Sequence, residues 1–173
     1  MSNETSSKSH AAKWRRHTVN VLVLVAVVAG IRVWQQRDMV NGAAPALRGL
    51  TLAGQPYTLP ARSDKPLLVH FWATWCPVCR AEQDSIAAIA HDYPNVITVA
   101  MQSGRQEEVS RYMQEQNIDF PVVNDQNGLI SSAWGVHAVP TSFIIAPNGQ
   151  IRFVEVGYTT GFGLRLRLWL AEI

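Results

Sequence analysis

Cysteine is scarce in this chain: two residues in 173, Cys76 and Cys79. A structural disulfide gains most by closing a long loop, so a bridge across two intervening residues would stabilise little. Zinc normally takes four ligands, and no second cysteine pair is present. The five histidines, His10, His17, His70, His91 and His137, are scattered. Charge is thin as well. Charged residues make up 16 %, the net charge is +2 and the basic residues are spread along the chain, so no nucleic-acid-binding stripe is present. There is no Met-rich or Cys-rich cluster and no internal repeat. What is plentiful is apolar side chain, 47 %, which suits one globular domain plus an appendage and argues against disorder.

The appendage is at the N-terminus. Residues 1–16 are polar at first and end in a basic cluster, Lys13, Trp14, Arg15 and Arg16. An apolar run follows from Val19 to Ile31, interrupted only by Asn20; 13 residues is short against the ~20 needed to cross a bilayer core. Extended from His17 to Trp34 it reaches 18 residues, with Arg32 snorkelling outward and Trp14 and Trp34 near the interfaces. Residues 17–37 are therefore expected to form a transmembrane signal-anchor behind a cytoplasmic tail, residues 1–16. Lys8, Lys13, Arg15 and Arg16 precede the run, and this bias exports everything after residue 37. A cleaved signal peptide is the rival reading, with Val27-Val-Ala29 as a small-residue cleavage site. Either outcome exports the rest of the chain, and in a bacterium it would enter the oxidising periplasm from the inner membrane.

Residues 38–46 read as a linker, and residues 47–173 as an α/β domain with a mixed central sheet flanked by helices. Leu50–Ala53 and Gln55–Leu59 are expected as strands around a turn at Gly54, and Pro66–Trp72 as a central strand covered on both faces. Helices are expected over Pro77–Ala90, Gln106–Glu115, Leu129–Trp134 and Thr160–Ile173. Strands are expected over Val96–Met101, Phe120–Val123, Ser142–Ala146 and Ile151–Val156. Asn148-Gly149 marks the last strand pair as a hairpin.

Trp75-Cys76-Pro77-Val78-Cys79 falls where the central strand gives way to the first helix. Cys76 is then the helix N-cap, where unpaired N–H groups and the positive end of the helix dipole stabilise a thiolate, the reactive form. Pro77 occupies the first helical position, which suits its fixed φ and missing N–H. Cys79 lies one turn on, within reach of a disulfide to Cys76 and placed to resolve a mixed disulfide.

The stretch LVHFWATWCPVCR resembles the active-site segment of the thioredoxin superfamily, and Gly135-Val-His-Ala-Val-Pro140-Thr141 resembles its second landmark. The resemblance implies a redox-active Cys76–Cys79 disulfide needing no further cofactor. It also implies a cis Val139–Pro140 bond against that disulfide, with backbone at Val139 to pair with an extended substrate. The anchor, the extra strand pair and Glu82 resemble the membrane-anchored TlpA/ResA branch, where a glutamate at this place handles protons. Glu82 thus stands as a proton-exchanging carboxyl or a solvated helix residue. His70 stands as a proton-transfer group or a hydrogen-bonded core histidine, and His137 as an exposed loop residue or one approaching the cysteines. Trp75, Pro77, Val139 and Thr141 are the expected substrate-facing residues, and Trp72 is expected in the core.

Within the branch the segment is most similar to the suppressor-of-copper-sensitivity group. That likeness implies protein disulfides as substrates, a DsbD-type membrane electron transporter as reductant, and a link to copper tolerance. Thr141 departs from the acidic residue usual in cytochrome c maturation thioredoxins. Val78 departs from the histidine of DsbA-type oxidases. A Cu(I)-binding module using the same two thiolates is the alternative of another class, since soft thiolates suit Cu(I).

Overall fold

The computed structural model describes residue 14, residues 17–27, residue 30 and residues 40–173. The chain divides into two compact units, residues 1–37 and 38–173. In the first, residues 17–27 are helical, and Val19, Leu22 and Leu24 are exposed. Among the described residues no helix is long and apolar enough to cross a membrane. The expected anchor, residues 17–37, extends beyond the described residues.

The second unit is a five-stranded mixed sheet with helices on its faces and a small hairpin at its start. Its elements are β1 (Arg48–Leu50), β2 (Pro56–Thr58), β3 (Leu67–Trp72), α1 (Pro77–Asp92), β4 (Val96–Met101), α2 (Gln106–Glu115), β5 (Val122–Asp125), α3 (Leu129–Ala133), β6 (Thr141–Ile145), β7 (Ile151–Val156) and α4 (Gly161–Glu172). Strand order is β5-β4-β3-β6-β7. β3, β4 and β5 are parallel, whereas β6 pairs antiparallel with both β3 and β7. All six residues of β3 are buried, as an apolar run interrupted only by His70 requires of a central strand. Alternation along it feeds two cores. Leu68 and Trp72 pack with Ile86, Ile89, Leu164 and Leu168 on the α1/α4 side. Val69 and Phe71 pack with Trp134 and Phe143 on the other, where the Trp134 and Phe143 rings meet edge-on at 5.0 Å.

Three strands are displaced from their expected positions, β6 by a single residue, to Thr141–Ile145. β1 ends at Leu50 instead of beginning there, because Thr51 N–H bonds to the Gln55 carbonyl (2.8 Å) and Gly54 N–H to the Thr51 carbonyl (2.8 Å), committing residues 51–55 to the turn. β5 starts at Val122 because Pro121 has no N–H for a ladder; its carbonyl still accepts from Thr98 N–H (2.9 Å). The segment read as linker is pinned at its far end: Ala44 N–H donates to the Gly149 carbonyl (3.0 Å) and Ile151 N–H to the Gly42 carbonyl (2.7 Å). On the opposite edge the turn after β1 adds to β5 through a Thr51–Val123 bridge and Leu52 N–H to the Val122 carbonyl (2.9 Å). Gly49 makes that approach possible, since a Cβ there would come within 2.6 Å of Val123 Cγ1.

Candidate active site

Three residues link the end of β3 to Cys76, and each is tied down. Thr74 N–H donates to Ser103 Oγ (3.1 Å), and the Trp75 indole N–H donates to the Gln102 carbonyl (3.1 Å), anchoring the loop to the segment after β4. Cys76 N–H donates to the Ala73 carbonyl (3.2 Å). Cys76 is the N-cap of α1 in extended backbone (φ −92°, ψ 112°), with Pro77 in the first turn. Its sulfur accepts the Cys79 N–H at 3.2 Å and lies 3.5 Å from the Val139 carbonyl. A thiolate there gains an oriented N–H donor and the positive end of a 16-residue helix. The Val139–Pro140 peptide bond is cis, matching the expectation from resemblance.

Both cysteines are free thiols, only 5 % and 4 % exposed. They are not equivalent. Burial raises the Cys79 pKa well above the ordinary thiol range; its hydrogen bond to Cys76 adds to this, the Ala73 backbone partly offsets it, and charge on Cys76 and Glu82 raises it further. Cys79 is therefore the sulfur that must be deprotonated before it can attack.

Glu82, one helical turn beyond Cys79, is 1 % exposed, so the solvated reading is excluded. Burial raises its pKa from 4.5 to about 7, opposed by a hydrogen bond from Thr159 N–H to Oε1 (3.2 Å). Its other oxygen, Oε2, is buried without a partner. An unpaired oxygen on a carboxyl titrating near neutrality suits a group that takes up and releases a proton.

The other expected site residues divide. Trp75 (60 % exposed), Val78 (42 %) and Pro77 form an apolar rim beside Cys76, with Val139 half-buried across from them. Thr141 corrects the sequence reading: it is fully buried, and its hydroxyl donates to the Ala138 carbonyl (2.7 Å), so its side chain braces the loop instead of meeting substrate. His70 is a core histidine, hydrogen-bonded through Nδ1 to Ser142 Oγ (2.9 Å), its pKa lowered to about 3 by burial. His137 is exposed in the loop before Pro140, and Trp72 is core, its indole N–H on Thr98 Oγ1 (3.0 Å). Among the described residues no group of three or more His, Cys, Asp or Glu side chains converges as a metal site would require. Sequence reasoning missed Thr159, Gln102 and Ser103, which act through backbone groups or short hydroxyls and carry no motif.

Residues 40–154 match the AhpC/TSA family. A thioredoxin-like protein of Haemophilus influenzae is 28 % identical over 161 residues, covering 92 % of this chain and 96 % of its own. The thiol:disulfide interchange protein DsbE of Yersinia pestis is 30 % identical over 171 residues, covering 88 % and 86 %. Among solved structures, a putative thioredoxin from Neisseria meningitidis superposes with a TM-score of 0.66 at 29 % identity, covering 76 % of this chain and 91 % of its own.

Proposed function

The chain belongs to the thioredoxin-like AhpC/TSA family and is a thiol–disulfide oxidoreductase of the DsbE/ResA type, and from that premise we propose that it reduces disulfides of exported proteins from the outer face of a bacterial inner membrane. The observation that carries this reading is the Cys76 sulfur at the α1 N-terminus, accepting the Cys79 N–H beside the Val139 carbonyl.

The reaction begins with Cys76 thiolate attacking one sulfur of a substrate disulfide. A Cys76–substrate bond forms and the other substrate sulfur leaves as thiolate. Glu82, poised near neutrality, accepts the Cys79 proton. Cys79 thiolate then attacks Cys76, releasing the second substrate thiolate and leaving the Cys76–Cys79 disulfide. Two electrons have passed to the substrate, and a membrane reductase of the DsbD type returns them. Trp75, Pro77 and Val78 offer the apolar surface for an unfolded segment, and backbone at Val139 offers pairing.

Residues 17–37 are the membrane anchor in this reading. It is supported by the basic cluster before the apolar run, the flanking tryptophans Trp14 and Trp34, and the exposure of Val19, Leu22 and Leu24. Likeness of LVHFWATWCPVCR to the suppressor-of-copper-sensitivity group supports a role in copper tolerance, tested by whether Cys76→Ala fails to rescue copper growth in a strain lacking the protein. The chemistry itself is tested by trapping. Cys79→Ala accumulates mixed disulfides with periplasmic proteins and Cys76→Ala accumulates none; equal trapping by both variants overturns the assignment of roles.

A further inference from the structure

The leucines of α4 alternate, at Leu164, Leu166, Leu168 and Leu170, and a helix carrying that pattern becomes apolar on two opposite sides. At about 100° per residue, Leu164, Leu168 and Ala171 share one side, and all three are buried in the core that holds Leu68 and Trp72. Phe162, Leu166, Trp169 and Ile173, spaced four, three and four residues apart, line the opposite side, with Leu170 at its margin. All five are in solvent, Phe162 at 76 % exposure, Trp169 at 57 % and Ile173 at 87 %. A helix that is apolar all round is ordinarily buried all round. In α4 only one of the two apolar sides is covered.

Side chains exposed to this extent leave on the order of 600 Å² of apolar surface in water, the size at which a patch marks a contact site. Two such patches together come to about 1,200 Å², the lower bound of a specific interface. The charges beside the stripe favour protein over lipid. Both cations of α4 are already paired, Arg165 with Asp92 (2.7 Å) and Arg167 with Glu155 (2.6 Å), and Glu172 adds an exposed carboxylate. A helix lying on phospholipid carries the reverse, cations turned toward phosphate.

We propose that this face binds the same face of a second copy, with the two α4 helices antiparallel. A two-fold pairing centred between Leu166 and Trp169 sets Phe162 opposite the partner's Ile173 and Leu166 opposite the partner's Trp169, so each large side chain meets an apolar counterpart. The contact then runs along about 17 Å of helix, which needs a shallow crossing of about 20°. Arg165 and Glu172 share one margin of the stripe, and this two-fold brings like margins together. Arg165 comes within about 3 Å, measured along the axis, of the partner's Glu172. A parallel pairing would set that margin against the partner's Leu170 instead, and the opposite charges would not meet. α1 runs in the same direction as α4, since Gly161 lies beside Ser85 and Arg165 beside Asp92. Antiparallel pairing therefore directs the two Cys76 sites toward opposite ends, where neither can attack the other. The pairing requires nothing of the residues before 40 and is independent of which way the electrons flow.

Disulfide cross-linking of the full chain in mild detergent tests the pairing, with Cys76→Ser and Cys79→Ser leaving no native thiol. Chains carrying Phe162→Cys and Ile173→Cys, given tags of different length, are mixed and oxidised with copper phenanthroline. Expected is a 162–173 product several-fold above the 162–162 and 173–173 products, and above any product of Gln126→Cys, an exposed position after β5. Adding Trp169→Asp, or separately Leu166→Glu, to both chains should lower the 162–173 product several-fold, with circular dichroism showing that the fold is kept. Cross-linking no stronger than at 126, or insensitive to both substitutions, overturns the α4 face as an interface. Same-site products in excess overturn the antiparallel pairing. A chain that does not cross-link, but whose fluorophore at Ile173→Cys is quenched in vesicles by nitroxide-headgroup lipid, overturns the second copy in favour of lipid.

Discussion

Replacing Glu82 by Gln should leave stability little changed near pH 5 and raise it progressively toward pH 8. Burial raises the folded-state pKa of Glu82 from 4.5 to about 7, so the folded protein binds more protons than the unfolded chain between those values. The associated stability is fully present below pH 4.5 and is lost as pH rises through 7. Between pH 5 and pH 8 the loss is on the order of 2–3 kcal/mol. His70 acts in the opposite sense. Its folded pKa is lowered from 6.5 to about 3, so stability is full above pH 6.5 and falls as acid protonates the unfolded imidazole; between pH 8 and pH 5 that fall is about 2 kcal/mol.

Both side chains are almost fully buried, at 1 % and 2 % exposure, so neither contribution is diluted by solvent. In the wild type the two slopes oppose each other. Glu82→Gln keeps an oxygen for Thr159 N–H and removes only the titration, exposing the His70 slope. Urea denaturation of the reduced proteins at pH 5 to 8 measures it: the difference between variant and wild type should grow by roughly 2–3 kcal/mol toward pH 8. The same substitution should remove the ionisation near pH 7 from the pH profile of the resolving step. A stability difference constant with pH refutes the buried, near-neutral carboxyl, and the proton-acceptor role with it.

Asp125→Ala should destabilise the fold by about 2–4 kcal/mol, read by urea denaturation, because the buried carboxylate accepts from Ile130 N–H (3.0 Å), Ser131 N–H (2.8 Å) and Ser131 Oγ (2.6 Å) at the start of α3. A loss below about 1 kcal/mol would show those groups finding other partners. The reductive direction is measured by equilibrium with glutathione: a potential near thioredoxin's ~−270 mV is expected, and one near DsbA's ~−120 mV reverses the assignment.

Much of this architecture was legible because local rules and tertiary demands agree. Val96–Met101 is a strand in both readings because its apolar run is short and lies in the sheet interior, with Thr98 bonding the Pro121 carbonyl. Pro77 and the cysteines predicted the start of α1 because capping chemistry is local. What could not be read depends on distant pairing. Glu82 is buried by an N–H contributed 77 positions away, and nothing around Thr159 marks it as a partner. Thr141 looked like substrate surface from its neighbour Pro140, but β6 begins at Thr141, and pairing with Phe71 and Val156 turns it inward. The far end of the expected linker was taken into the sheet margin for the same reason, by bonds to a turn more than a hundred positions away.

The turn that Gly49 brings down on Val123 has a consequence for an enzyme that handles opened, sticky chains. A bare strand margin is a template for any extended peptide that meets it. Here the outer side of β5 is already occupied by Thr51 and Leu52 of the same molecule. An extended segment of another chain is denied that margin, which keeps it apart from the substrate pairing proposed at the Val139 backbone.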